Sequence, residues 1–174
     1  KWFEKNAPFD FSLYGRGWDG PIKNRIYKNK FLFAISNKLN YKPNKFSKIY
    51  KGPIESKFYV LQKYKYCICY ENVACLNGYI TEKIFDSMFS GSVPIYWGAN
   101  NISQYIPKEC FIDRRNFADD TALYEFLKSI DEQKYISYQK AANDFLEANA
   151  FNKFSSEYFA KTIAYEIVTN INDN

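Results

Sequence analysis

The fold is decided by the run from residue 66 to residue 98. It reads Tyr66-Cys67-Ile68-Cys69-Tyr70, a polar stretch from Glu71 to Gly78, Thr81-Glu82-Lys83-Ile84-Phe85-Asp86-Ser87-Met88-Phe89, Ser90-Gly91-Ser92, and Val93-Pro94-Ile95-Tyr96-Trp97-Gly98. The first block is compact and apolar, which predicts a strand buried on both faces, as in parallel sheets. Glu71 to Gly78 reads as a turn. Thr81 is the expected N-cap of a helix from Glu82 to Phe89, with Ile84, Phe85, Met88 and Phe89 on its apolar side. Ser90-Gly91-Ser92 ends that helix. Val93 to Trp97 is a second apolar strand, closed by Gly98. Strand, turn, helix, short loop and strand make a βαβ unit.

Working outward, Phe9 to Tyr14 alternates apolar and polar residues, which predicts a short strand. Gly15-Arg16-Gly17-Trp18-Asp19-Gly20-Pro21 has loop chemistry, and residues 36–53 read as a surface loop. Ser56 to Tyr64 suits a short helix. Downstream, Cys110 to Asp113 suggests a strand. Asp119–Ile130, Gln133–Asn149 and Ser155–Ile171 suggest helices. Tyr and Phe recur near helical spacing across residues 133–168, and core packing accounts for them. The expectation is an α/β, Rossmann-like, doubly wound parallel sheet with a helical C-terminal tail, residues 1–174 forming one domain.

Composition narrows the chemistry. Of 174 residues, 47% are hydrophobic and 25% charged, enough apolar material for a core and too much for disorder. No apolar run approaches the roughly 18 residues of a membrane span, and the start Lys1-Trp2-Phe3-Glu4-Lys5 carries no signal-peptide pattern. Histidine is absent, which removes mechanisms needing an imidazole base and most zinc enzymes. Cys67 and Cys69 lie on one strand face with Cα atoms about 6–7 Å apart, awkward for a bridge. With Cys75 and Cys110 they read as buried thiols of a reducing compartment. A net charge of +5 favours an anionic partner (nucleic acid, a phosphate ligand or a membrane surface), or else a solvated lysine-rich surface.

In such folds ligands bind at the carboxyl ends of the strands, in the loops that lead to helices. Here that loop runs from Glu71 to Lys83. A helix N-terminus stabilises anions through unpaired N–H groups and its dipole. Lys83, in the first helical turn, is unfavourable there for an isolated helix, and a bound diphosphate would resolve the conflict. Glu82 can accept hydrogen bonds from sugar or ribose hydroxyls, and Asn72 and Tyr79 can donate to phosphate oxygens. Ordinary capping with a solvated Lys83 produces the same local pattern. Asp113-Arg114-Arg115 follows a strand and reads either as a contact to the nucleotide or, in preference, as a solvated charge cluster, and Asp86 reads as a surface residue. The sequon Asn101-Ile102-Ser103 reads as a chance triplet.

Tyr70-Glu71-Asn72, Gly78-Tyr79-Ile80-Thr81-Glu82-Lys83 and Val93-Pro94-Ile95-Tyr96-Trp97-Gly98 resemble the donor-binding signature of the α-1,3/α-1,4-fucosyltransferase family, glycosyltransferase family 10. Tyr14-Gly15-Arg16-Gly17-Trp18 and Tyr50-Lys51-Gly52-Pro53-Ile54 resemble segments upstream of it. The likeness runs from roughly Asp10 to Phe117.

The resemblance implies the C-terminal half of a GT-B glycosyltransferase. It implies inverting transfer of L-fucose from GDP-β-L-fucose to a GlcNAc or glucose hydroxyl in α-1,3 or α-1,4 linkage. It implies that Asn72, Tyr79, Glu82 and Lys83 contact the nucleotide sugar, and that Lys83 offsets charge on the departing GDP. The acceptor domain with its carboxylate base is expected to precede Lys1, so this chain alone should bind donor and transfer negligibly. A family arginine that faces the diphosphate is also expected upstream, and Arg16 lies too far into its loop to replace it.

No tightly bound cofactor is expected, and no metal for nucleotide binding. The expected partners are a nucleotide sugar and, through the missing domain, a glycan acceptor, with peripheral membrane association left to regions outside this chain. The expected setting is the cytoplasm or membrane of a bacterium or large virus, or the Golgi in a eukaryote. Two other readings compete: a GT-B domain for a different nucleotide sugar, and a basic, aromatic-rich nucleic-acid binder. The second needs aromatics interleaved with Lys on an exposed sheet, whereas Ile95-Tyr96-Trp97 carries Pro94 and ends at the ligand loop. No nucleic-acid partner is therefore expected.

Overall fold

In the computed structural model, residues 1–16 and 49–172 are described. They fall into two compact units, Lys1–Ser56 and Lys57–Asn174, where the sequence suggests one domain. In the first, α1 (Trp2–Asn6) precedes β1 (Leu13–Tyr14), which pairs in parallel with β2 (Tyr50–Gly52). The Tyr50 hydroxyl donates to the Gly15 carbonyl at 2.8 Å, fixing the turn that leaves β1. The predicted strand from Phe9 keeps only its last two residues. Residues 17–48, with Gly17-Trp18 and most of the predicted 36–53 loop, lie outside the described residues.

The second unit carries the βαβ core. Helix α2 (Lys57–Leu61) leads to β3 (Tyr66–Tyr70), α3 (Glu82–Phe89), β4 (Val93–Trp97) and β5 (Ile112–Asp113). The order β3-β4-β5 is wholly parallel, with Tyr66 opposite Val93, Tyr70 opposite Trp97, and Ile95 opposite Ile112. Three helices follow: α4 (Asp120–Ser129), α5 (Glu132–Glu147) and α6 (Ser156–Asn172). This is the α/β architecture with parallel strands that the sequence predicts. No helix among the described residues is long and apolar enough to cross a membrane.

Local chemistry explains the bounds. Gly91, at φ +79°, ends α3. Its N–H donates to the Met88 carbonyl at 2.9 Å, and the Ser92 N–H donates to the Ser87 carbonyl at 3.0 Å. That pair of bonds is a Schellman motif, which needs a residue tolerant of the left-handed conformation. Asp119 and Asp131 cap α4 and α5, accepting from the N–H groups of Ala122 and Lys134 at 2.8 and 2.7 Å.

Burial follows sheet position. β4 is central, and its first four residues are buried. β3 is an edge of the three-stranded sheet, so Cys69 alone among its residues is buried and the prediction of burial on both faces does not hold. Cys69, Ile84, Met88, Tyr96, Ile102, Ile106, Cys110, Phe111, Ala142 and Phe145 form the core. All four cysteines are free thiols; Cys69 and Cys110 are buried, Cys67 is half-buried and Cys75 is exposed.

Core packing explains the aromatics of α5 better than those of α6. Phe145 packs with Phe151 and Phe154. On α6, Phe159 and Tyr165 are 67% and 68% exposed, contrary to the expectation for residues 133–168.

Candidate functional site

The loop after β3 is stitched to the loop after β4. Backbone N–H groups of Glu71 and Cys75 donate to the carbonyls of Trp97 and Gly98 at 2.8 and 3.1 Å. The Gly78 N–H donates to Asn101 Oδ1 at 2.9 Å, and Asn100 Nδ2 donates to the Cys75 carbonyl at 3.4 Å. Cys75 takes up φ 64°, a left-handed conformation that is uncommon outside glycine. The buried Tyr96 hydroxyl accepts from the Ala99 N–H at 3.0 Å and donates to the Tyr79 carbonyl at 3.5 Å. Burial raises its pKa, so it stays protonated and able to donate. Asn101 therefore works as a loop clamp, and the buried Ile102 belongs to the core.

Directly after β3 at this end of the sheet lies Glu71, whose side chain is 0% exposed. Its Oε1 accepts from the Thr81 N–H at 2.8 Å. Its Oε2 accepts from Thr81 Oγ1 at 2.8 Å and from Lys83 Nζ at 2.9 Å. Buried carboxylates persist only when paired and hydrogen-bonded, and this one has both. Thr81 stands at the N-cap position with extended backbone, but its hydroxyl serves Glu71 and makes no cap bond to α3. The predicted side-chain cap is therefore absent. The conflict posed by Lys83 in the first helical turn is met within the chain by Glu71, before any ligand. Lys83 keeps 27% of its side chain exposed, and its ammonium is held by Glu71.

Of the predicted residues, Lys83 is the one tied into this cluster. Asn72 is exposed directly after Glu71, and Tyr79 is half-buried beside Thr81. Glu82 is exposed on the first turn of α3, with Oε1 3.8 Å from Lys57 Nζ. Lys57 itself pairs closely with Asp86, at 2.6 Å. Glu71 was legible only as part of a motif block, because its partners lie 10 and 12 residues away.

The Asp113-Arg114-Arg115 cluster is not simply solvated. Arg114, 15% exposed, donates to Asp120 and to the Phe117 carbonyl, and its guanidinium lies 6.0 Å from the Trp97 ring centroid. Arg115 forks onto Asp113 at 2.6–3.1 Å, and that hydrogen bonding raises its pKa. A groove of about 420 Å³ lies by Lys108, Phe111, Phe126 and Lys134, and none of the four predicted residues lines it. Among the described residues, no group of three or more His, Cys, Asp or Glu side chains is arranged to hold a metal ion.

A parallel sheet with a lysine held at a helix start on its carboxyl edge suits an anionic ligand such as a nucleotide. The chain matches the family described as glycosyltransferase family 10 (fucosyltransferase), C-terminal region, over residues 24–166, and it belongs to that family. It is similar to the alpha-(1,3)-fucosyltransferase FucT of Helicobacter pylori, 30% identical over 115 residues, covering 65% of this chain and 23% of that protein. It is similar to the alpha-(1,4)-fucosyltransferase of Arabidopsis thaliana, 35% identical over 83 residues, covering 45% and 20%. It is also similar to the GDP-fucose protein O-fucosyltransferase 3 of Xenopus tropicalis, 30% identical over 112 residues, covering 63% and 22%. A solved alpha1,3-fucosyltransferase with GDP-fucose aligns at a TM-score of 0.48 and 22% identity, over 78% of this chain and 40% of that one. The chain thus spans less than a quarter of the length of these three relatives.

Proposed function

We propose that this chain is the donor-binding part of an inverting fucosyltransferase that uses GDP-β-L-fucose. The observation that carries the reading is Lys83, its ammonium held by Glu71 and its side chain partly exposed at the start of α3. A diphosphate placed there meets a fixed positive charge and helix N–H groups that no side chain caps. Asn72 and Tyr79 donate to phosphate oxygens. Glu82, exposed beside Lys83, accepts from ribose or fucose hydroxyls. The three relatives bear names that share fucosyl transfer and differ in acceptor or linkage. Similarity to all three suits the part that handles the fucosyl donor.

In the reaction, the acceptor hydroxyl oxygen attacks the anomeric carbon of fucose from the face opposite GDP. The bond from that carbon to the diphosphate oxygen breaks, and the acceptor proton passes to a base. Negative charge grows on the departing diphosphate, and Lys83 stabilises it where it develops. The acceptor, a GlcNAc or glucose hydroxyl in α-1,3 or α-1,4 linkage, and the carboxylate base are assigned to the rest of the protein.

Calorimetry with GDP, GDP-fucose, UDP and ADP tests the reading, with and without EDTA. GDP and GDP-fucose should bind and the other two should not, whether or not EDTA is present. Equal heats for all four nucleotides would overturn the fucose assignment. Loss of binding in EDTA, restored by manganese, would overturn the assignment of the positive charge to Lys83.

A further inference from the structure

Glu71 poses a puzzle that the donor reading leaves open. A carboxylate beside Lys83 cancels much of the charge that should attract a diphosphate. If Lys83 acted as a bare charge, Glu71 would weaken the site. The geometry gives the carboxylate a different task. Both of its oxygens are occupied, one by the Thr81 N–H and the other by the Thr81 hydroxyl and the Lys83 ammonium, at 2.8–2.9 Å. One side chain thus fixes the residue that enters α3 and the lysine in its first turn. Lys83 Nζ also lies 3.4 Å from Thr81 Oγ1. An ammonium has three donors, so a remaining proton can be aimed at a ligand from a fixed position. A free lysine would lose rotamer entropy each time it bound.

The rest of the sheet end is shaped around this carboxylate. A Cβ built on Gly98 would stand 2.5 Å from Glu71 Cγ, so the glycine leaves room for the side chain. The Glu71 N–H is itself held by the Trp97 carbonyl at 2.8 Å.

We propose that Glu71 is a positioning residue of the donor site. It would act through Lys83 and Thr81 and would not touch the nucleotide. The proposal rests on the donor reading above. It predicts that removing a negative charge beside the site will weaken binding of an anion, the reverse of what simple electrostatics gives.

The experiment compares wild type, Glu71→Gln, Lys83→Ala and the double variant. Each is titrated with GDP and with guanosine, which lacks the diphosphate. Gln keeps the size of the side chain, but places an amide donor against one of the existing donors. Glu71→Gln should weaken GDP five- to tenfold and leave guanosine unchanged. The double variant should bind GDP no more weakly than Lys83→Ala. GDP binding by Glu71→Gln that equals or exceeds wild type would overturn the proposal, as would equal losses for GDP and guanosine. Additive losses in the double variant would overturn it too. A wild type that binds neither ligand overturns the donor reading and this proposal together. Should Glu71→Gln fail to fold, Thr81→Val takes its place, because it removes one Glu71 partner and keeps both charges. Weaker GDP with unchanged guanosine supports the proposal, and unchanged GDP overturns it.

Discussion

Replacing Gly98 by alanine adds one methyl group where the structure has no room for it. The backbone at Gly98 is outside the left-handed region, so conformational strain is not the reason for glycine. Space is the reason. The new Cβ would fall on the ring and hydroxyl of Tyr96, which is fully buried, and 2.5 Å from Glu71 Cγ. Tyr96 is held by the Ala99 N–H at 3.0 Å, and Glu71 by three donors at 2.8–2.9 Å, so neither side chain can move freely. Overpacking of this kind costs about 1–3 kcal/mol. Displacing the carboxylate adds part of a charge-assisted hydrogen bond, itself about 1.5–3 kcal/mol. The expected loss is about 3 kcal/mol, or a melting point lower by roughly 10 °C for a unit of this size.

Thermal and urea unfolding followed by circular dichroism give the measurement, with Gly91→Ala as the comparison. Gly91 has φ +79° and open surroundings, the nearest atom to an added Cβ being Gln139 Nε2 at 3.8 Å. Only backbone strain applies there, at about 1–2 kcal/mol. If Gly98→Ala proves no more destabilising than Gly91→Ala, the close packing of Glu71 against this turn is not what the position requires.

Other outcomes are expected as well. Arg114→Ala should lower stability by about 1–2 kcal/mol in urea, because Asp120 and the Phe117 carbonyl lose a charged donor; a change under about 0.5 kcal/mol would return Arg114 to the solvated surface. Burial pushes the Cys110 thiol from 9.0 up to about 12. Its folded value is raised, so its contribution is whole below about pH 9 and is lost as the pH climbs towards 12, since the unfolded chain releases the proton first. Moving from pH 7 to pH 10 should cost about 1 kcal/mol through this group, a loss that Cys110→Ala should lack. A wild type and a Cys110→Ala variant with parallel pH profiles would contradict this. The 174-residue chain by itself should transfer fucose to lactosamine negligibly, since a positioned base contributes typically 10²–10⁴-fold and acceptor positioning more. Robust turnover by this chain would place a base and an acceptor site within it.

Local chemistry made much of the fold legible in the sequence. Helix α3 and strand β4 have the bounds that their residues predict, because the Gly91 stop and the apolar run from Val93 act within a few residues of where they stand. The helix expected from Asp119 starts within a residue of it, whereas the cap Asp131 went unread and the next helix begins at Glu132, one residue before the expected Gln133. The loop from Glu71 to Lys83 was legible as a strand-to-helix junction, since parallel strands open into helices at their carboxyl ends. Only the tertiary structure decided what each side chain there is for. Glu71 and Lys83 stand twelve residues apart, and Gly98 far beyond both; parallel pairing of β3 with β4 brings all three to one sheet end. Thr81 keeps the position of a cap but gives its hydroxyl to Glu71, because a buried carboxylate is costlier to leave unpaired than a helix N–H that solvent or a ligand can reach. Arg114 changes from a surface charge to a largely covered donor: Asp120 reaches it from the start of α4, and the Trp97 ring from the neighbouring strand. Residue types and their spacing determined which elements form and where the loop between β3 and α3 lies. Which charges meet, and which are neutralised before a ligand arrives, is set by contacts between segments that local pattern does not encode.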